Sequence, residues 1–150
     1  MEINVEYNSD FKKDLEFGKE AENLTVKILK QRWPKTKRVT GYHKEWDIEI
    51  PEIDMTIEAK YDKQTEGPDR YTGNLFIECE SRGEPSGIET SKADYWFYWY
   101  CSLRKLVRIP TPLLKETIRK NDTIRKVNGG DSNSSKGYLV PVKLFEKENK

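Results

Sequence analysis

Six consecutive aromatic residues, Tyr95-Trp96-Phe97-Tyr98-Trp99-Tyr100, constrain this chain more than any other stretch. Side chains of a strand point alternately to its two faces, so an unbroken apolar run needs both faces covered. The run therefore belongs at the centre of a sheet, with helices expected on either side. A binder of single strands would instead interleave such aromatics with basic residues, so the run reads as core. The chain needs this core, because only 35% of its 150 residues are hydrophobic and another 35% are charged. Four Trp, eight Tyr and five Phe supply the burial that aliphatic residues do not.

This length suits one domain. Its core is expected over about residues 10–110, followed by a C-terminal basic helix and an edge strand over about 111–145. Cys79 and Cys101 have neither metal-ligand spacing nor the density of a secreted disulfide framework, which fits a reducing compartment. No apolar run reaches transmembrane length and the start lacks signal-peptide character, so the expectation is a soluble cytoplasmic protein without a membrane partner.

From Ser9 or Asp10, either of which can cap a helix, Phe11, Leu15, Gly18, Glu22, Val26, Leu29 and Trp33 recur at helical spacing until Pro34. Glu22 falls inside that apolar arc, and a carboxylate there must be paired or face something charged. A first strand is expected over Arg38 to His43, flanked by the basic residues Lys35, Lys37, Arg38 and Lys44. Two short strands then carry Asp47 and the alternating run Met55 to Asp62, where Glu58 and Lys60 share one face. Between Glu45 and Glu58 stand six acids (Glu45, Asp47, Glu49, Glu52, Asp54, Glu58) and no base. Carboxylates on adjacent strands with an ammonium nearby suit a hard divalent cation and a phosphate ester.

Asn74 to Glu80 reads as a further strand with Leu75, Ile77 and Cys79 on one face and Glu78 and Glu80 on the other. If it pairs beside the Met55 to Asp62 strand, Glu78 or Glu80 joins the acidic cluster. A Gly/Pro/Ser loop and a short helical turn from about Glu89 to Asp94 lead into the aromatic strand, with Leu106 to Ile109 as its hairpin partner. Between Ser102 and Lys126 there are eight bases against Glu116 and Asp122, a segment suited to gripping a polyanion. Val127 to Lys136 reads as a loop, and Gly137 to Phe145 as an edge strand because Pro141 would break a central one.

Asp47 followed by Glu58-Ala59-Lys60 resembles the signature of the PD-(D/E)xK nuclease superfamily, although Trp46 stands where many members have proline. The resemblance implies an α/β protein with a restriction-endonuclease-like α-β-β-β-α-β core over roughly residues 10 to 100, a mixed central sheet flanked by helices. It implies Mg²⁺ or Mn²⁺ held by Asp47, Glu58 and the Ala59 carbonyl, with Lys60 helping to activate water; Glu78 or Glu80, if its strand pairs beside Met55 to Asp62, is a further candidate ligand. Gly18 to Glu22 is similar to the Gly-x-x-x-Glu that many members carry on the first helix, which brings Glu22 toward the metal.

The segment from Gly83 to Trp96 resembles phage-type and mobile-element members. Ser86, Thr90, Ser91 and Lys92 are phosphate-contact candidates there, since hydroxyls, amides and an ammonium near glycine suit an oxyanion; Lys37, Arg38 and Lys44 join them as nucleic-acid contacts. The function implied is hydrolysis of DNA phosphodiester bonds. A homodimer is a further implication, since duplex cleavage needs two active sites. Two other readings stay open: an RNA endonuclease of the same fold using His43, and a non-catalytic nucleic-acid-binding protein.

Overall fold

The structure, a computed structural model, describes residues 3–4, 17–41, 45–61, 72–100, 105–129 and 134–146. Its strands are β1 (Ile3–Asn4), β2 (Lys37–Arg38), β3 (Ile48–Ile50), β4 (Met55–Tyr61), β5 (Asn74–Ser81), β6 (Glu84–Pro85), β7 (Tyr95–Tyr100), β8 (Lys105–Pro110), β9 (Arg125–Gly129) and β10 (Ser135–Pro141). Its helices are α1 (Phe17–Leu29), α2 (Thr111–Lys120) and α3 (Lys143–Glu146). The class is α/β, with a mixed sheet and few helices.

One sheet has the order β1-β8-β7-β4-β3-β2. Strands β2, β3 and β4 form an antiparallel meander, β7 lies parallel to β4, and β8 and β1 complete the sheet antiparallel. The aromatic strand therefore sits in the interior, as its composition demands. Phe97 and Trp99 pack with Ala21, Leu24 and Leu29 of α1 on one face. Trp96, Tyr98 and Tyr100 pack on the other face with Leu75, Ile77 and Cys79 of β5 and Val140 of β10. Each such aromatic removes roughly 150–250 Å² from water, which offsets the chain's low aliphatic content.

The second face is covered differently from expectation. A second sheet, of order β6-β5-β10-β9, lies there together with α2 and α3, through Leu114 and Phe145, in place of a layer of helices. Strand β5 accordingly does not extend the sheet of β4; it pairs antiparallel with β10. Its Leu75-Ile77-Cys79 face is fully apolar, and burying that face against β7 satisfies it better than a place at the sheet edge.

β10 is not an edge strand. It runs between β5 and β9, and Pro141 is its last residue, opposite Asn74, so the ring interrupts no central ladder. The edge is β9, which occupies part of the stretch expected to be a loop and carries exposed Arg125, Lys126 and Asn128. The expected first strand is only Lys37–Arg38, and the expected helical turn before β7 is a single 3-10 turn at Gly87–Glu89. α1 ends at Leu29 and continues as tighter turns, with the Gln31 and Arg32 amides donating to the Ile28 and Leu29 carbonyls at 3.2 and 3.1 Å shortly before Pro34. The expected helix start at Ser9 or Asp10, His43, Lys44, the loop at 62–71 and Cys101 lie outside the described residues. No helix among the described residues is long and apolar enough to cross a membrane.

Candidate functional site

The β3–β4 connection is a tight 3-10 turn at Pro51–Ile53. It closes through Asp54 in the left-handed region at φ 50, its amide donating to the Pro51 carbonyl. This turn sets the register Ile48↔Ile57 and Ile50↔Met55, which sends Ile48, Ile50, Ile57 and Ala59 into the α1 side of the core. Glu58 and Lys60 must then take the opposite face of β4, beside Trp96 and Tyr98 of β7. Asp47 precedes β3 and is pinned by its backbone: its amide donates to Ile57 at 3.0 Å and its carbonyl accepts from Val39 at 2.8 Å. Its side chain is only 7% exposed, and Oδ2 accepts the Ala59 amide at 2.9 Å. The carboxylate of Asp47 is thus held against the middle residue of the Glu58-Ala59-Lys60 triplet.

On the polar face of β4 a cavity of about 250 Å³ opens between the two sheets. Glu58 and Lys60 form one wall, Glu78 of β5 another, and Gly87, Thr90, Ser91, Lys92 and Glu45 the rim. Three carboxylates face two ammoniums there. Glu78 reaches the cavity although β5 belongs to the other sheet, because the turn after β6 folds back over it: Ser86 Oγ donates to Glu78 Oε2 at 2.9 Å. Gly87 makes this approach, at φ +55 with the position of its missing Cβ occupied by the Glu78 carbonyl. The Lys60 ammonium lies 5.8 Å from the Trp96 ring centroid, a cation–π contact that steadies it beside Glu58. Lys92 and Glu45 pair at 3.5 Å across the mouth, both largely exposed.

Six of the residues singled out from sequence therefore converge: Glu58, Lys60, Glu78, Thr90, Ser91 and Lys92. Asp47 abuts them through Ala59 without lining the cavity. Glu22 lies elsewhere. It is 6% exposed and ion-paired with Arg38 Nη2 at 3.2 Å, while Arg38 Nη1 also donates to Asn23 at 3.1 Å. Arg38, from β2, is one partner of this carboxylate on the apolar arc of α1. Lys37 pairs with Glu49 at 3.6 Å, so neither Lys37 nor Arg38 points an unpaired cation at the cavity. Thr90 donates to the Gly87 carbonyl at 3.5 Å, and Ser91 Oγ accepts from Trp96 Nε1 at 3.0 Å. Glu80 pairs with Lys136 at 3.7 Å, away from the cavity.

Sequence reasoning missed Asp94 and Glu45. Asp94 Oδ2 accepts from both the amide and the hydroxyl of Thr56, at 2.9 and 3.1 Å, and its own amide donates to the Thr56 carbonyl at 3.0 Å. These bonds lock the start of β4 to the start of β7, and so align Glu58 with the cavity. An aspartate immediately before an aromatic strand was the only signal available. Glu45 stood within the acid cluster without a role.

Among the described residues no three His, Cys, Asp or Glu side chains form a ready metal cage. Mg²⁺ does not demand one, since it keeps several waters and is bound through one or two carboxylates plus substrate phosphate. Asp47, Glu58 and Glu78 are an all-oxygen donor set of the hardness such an ion prefers. Comparison with protein-family models, with curated proteins and with solved structures returns no match.

Proposed function

We propose that this protein is a metal-dependent deoxyribonuclease hydrolysing DNA phosphodiester bonds, with its active site on the polar face of β4. The observation that carries the reading is the Asp47–Ala59 hydrogen bond, which joins a carboxylate distant in sequence to the Glu58-Ala59-Lys60 triplet at a polar cavity. The element order adds support. The helix α1, the antiparallel strands β2, β3 and β4, and the strand β7 parallel to β4 are compatible with the restriction-endonuclease-like plan, with the β5–β6 hairpin and a 3-10 turn where its second helix would stand.

Asp47, Glu58 and the Ala59 carbonyl would hold Mg²⁺ or Mn²⁺, with Glu78 as a further ligand from the facing sheet. When bound, the ion supplies Lewis acidity and lowers the pKa of a coordinated water. Lys60, steadied over Trp96, holds that water or a phosphate oxygen by its ammonium. Thr90 and Lys92 at the rim offer a hydroxyl and a cation to the scissile phosphate, and Ser86 orients Glu78.

The test is cleavage of single-stranded, duplex and branched DNA with Mg²⁺, Mn²⁺ or EDTA, alongside Lys60→Ala. Metal-dependent products that vanish in the variant support the reading. Products that persist identify a contaminant, and absence of products on every DNA sinks the deoxyribonuclease. A second reading, a non-catalytic nucleic-acid-binding protein, takes support from the structural task that Asp47 Oδ2 performs for Ala59. DNA binding indifferent to EDTA, without cleavage, would select it.

A further inference from the structure

The Gly87–Thr90 turn has two sides. Gly87 and Thr90 border the cavity already described, whereas Ile88 and Glu89 border a second one of about 410 Å³ between α2 and β10. Lys115, Ile118, Arg119 and Tyr138 complete its lining. This volume lies within the range of small-molecule sites.

Its chemistry is that of a cationic, partly aromatic cleft. Lys115 and Arg119 are one helical turn apart on α2, so both side chains reach the same rim. Glu116 engages Lys120 at 2.7 Å and Arg119 at 3.9 Å, and Lys115 has no acidic partner among the described residues. Lys126 adds a further cation, its ammonium 5.7 Å from the Tyr138 ring centroid. The one carboxylate in the lining, Glu89, accepts a hydrogen bond from the Tyr138 hydroxyl at 3.3 Å. Ile118 supplies apolar surface for a flat ring.

We propose that this cleft binds one nucleotide unit of single-stranded DNA, its base against Tyr138 and Ile118 and its flanking phosphates on Lys115 and Arg119. The proposal rests on the nuclease reading for its choice of a nucleic-acid strand as ligand. The shared turn would carry the strand from the cleft to the Glu58–Lys60 cavity.

The test reads binding in EDTA, where no cleavage occurs, using the anisotropy of a labelled oligothymidylate over a range of salt. Each phosphate contact to a single strand contributes about 0.7 to the slope of log affinity against log salt. Lys115→Ala with Arg119→Ala, both at exposed positions, is expected to flatten that slope by about 1.4. Tyr138→Leu is expected to weaken binding about 5- to 150-fold, the range for loss of one stacked base, while Tyr138→Phe retains it.

An unchanged slope and affinity in the double variant overturns the proposal. So does equal affinity for thymidine monophosphate and for the oligonucleotide, which would assign the cleft to a free nucleotide. Cleavage by the wild-type protein combined with unaltered binding in the double variant removes this site alone. Cleft-dependent binding by a protein that cleaves nothing removes the nuclease reading alone.

Discussion

Asp47 Oδ2 accepts the Ala59 amide at 2.9 Å at a point where the β3–β4 ladder has already ended, since Ile48, the first residue of β3, stands opposite Ile57. A side chain thus replaces the missing strand at the next amide along β4. Asp47→Ala leaves that buried donor without its acceptor and is expected to cost about 1–3 kcal/mol in urea denaturation. Asp47→Asn keeps an oxygen for the amide and so most of the stability, yet removes the charge and with it metal-dependent cleavage. Equal stability in both variants would show that the bond is dispensable.

Glu58→Gln and Lys60→Ala are expected to abolish cleavage with little change in stability. The cation–π contact of Lys60 with Trp96 is worth about 0.5–1 kcal/mol in a partly exposed setting, which bounds the loss. Full activity in either variant would remove that residue from the chemistry.

Gly87→Ala should lower stability by more than about 2 kcal/mol, because left-handed backbone costs roughly 1–2 kcal/mol for a residue with a Cβ, and that Cβ would also meet the Glu78 carbonyl. The control is Gly83→Ala. Gly83 has φ +81 but open space around its Cβ position, so only the backbone cost applies. Thermal unfolding of the two variants separates the steric contribution, and equal losses would deny the close approach of Gly87 to β5.

Trp99 Nε1 donates to Thr25 Oγ1 at 2.8 Å, and that hydroxyl donates onward to the Ala21 carbonyl at 2.7 Å, all in the buried layer between α1 and β7. Thr25→Val keeps the shape and strands the indole N–H, for an expected loss of about 1–3 kcal/mol; Thr25→Ser should lose far less. Chemical denaturation decides between them.

Burial pushes the Cys79 thiol and the Tyr138 phenol above their ordinary pKa ranges, desolvation being the main cause for each. Both folded-state values are raised, so above the ordinary value the native state binds more protons than the unfolded chain. Their contribution is present at neutral pH and is lost as the pH climbs from the ordinary values through the raised ones. Unfolding midpoints are therefore expected to fall with alkaline pH, and less steeply in Cys79→Ala. In a Cys101→Ser background, Cys79 should resist thiol reagents until the protein unfolds. Rapid labelling of the native protein would contradict its burial.

Much of the candidate site was legible because strand alternation is a local property. The pattern of Met55 to Asp62 placed Glu58 and Lys60 on one face and Ile57 and Ala59 on the other, and the turn at Pro51–Ile53 needed only neighbouring residues to form. Glu78 converges with them by a different route from the conditional pairing of β5 with β4: it arises from packing of one sheet on another, closed by Gly87 and Ser86.

Sequence alone determined that Tyr95–Tyr100 must be an interior strand, since six successive aromatics leave no face for water. It also placed Glu22 where a burial partner was required. Only the tertiary structure decided what covered that strand, which cation Glu22 met, and where Pro141 fell in its sheet. A second sheet and a layer of helices satisfy the same apolar face equally well, and Arg38 and a metal ion both answer a buried carboxylate. Such choices depend on which distant segments meet, and the local pattern of any one segment does not encode its partner.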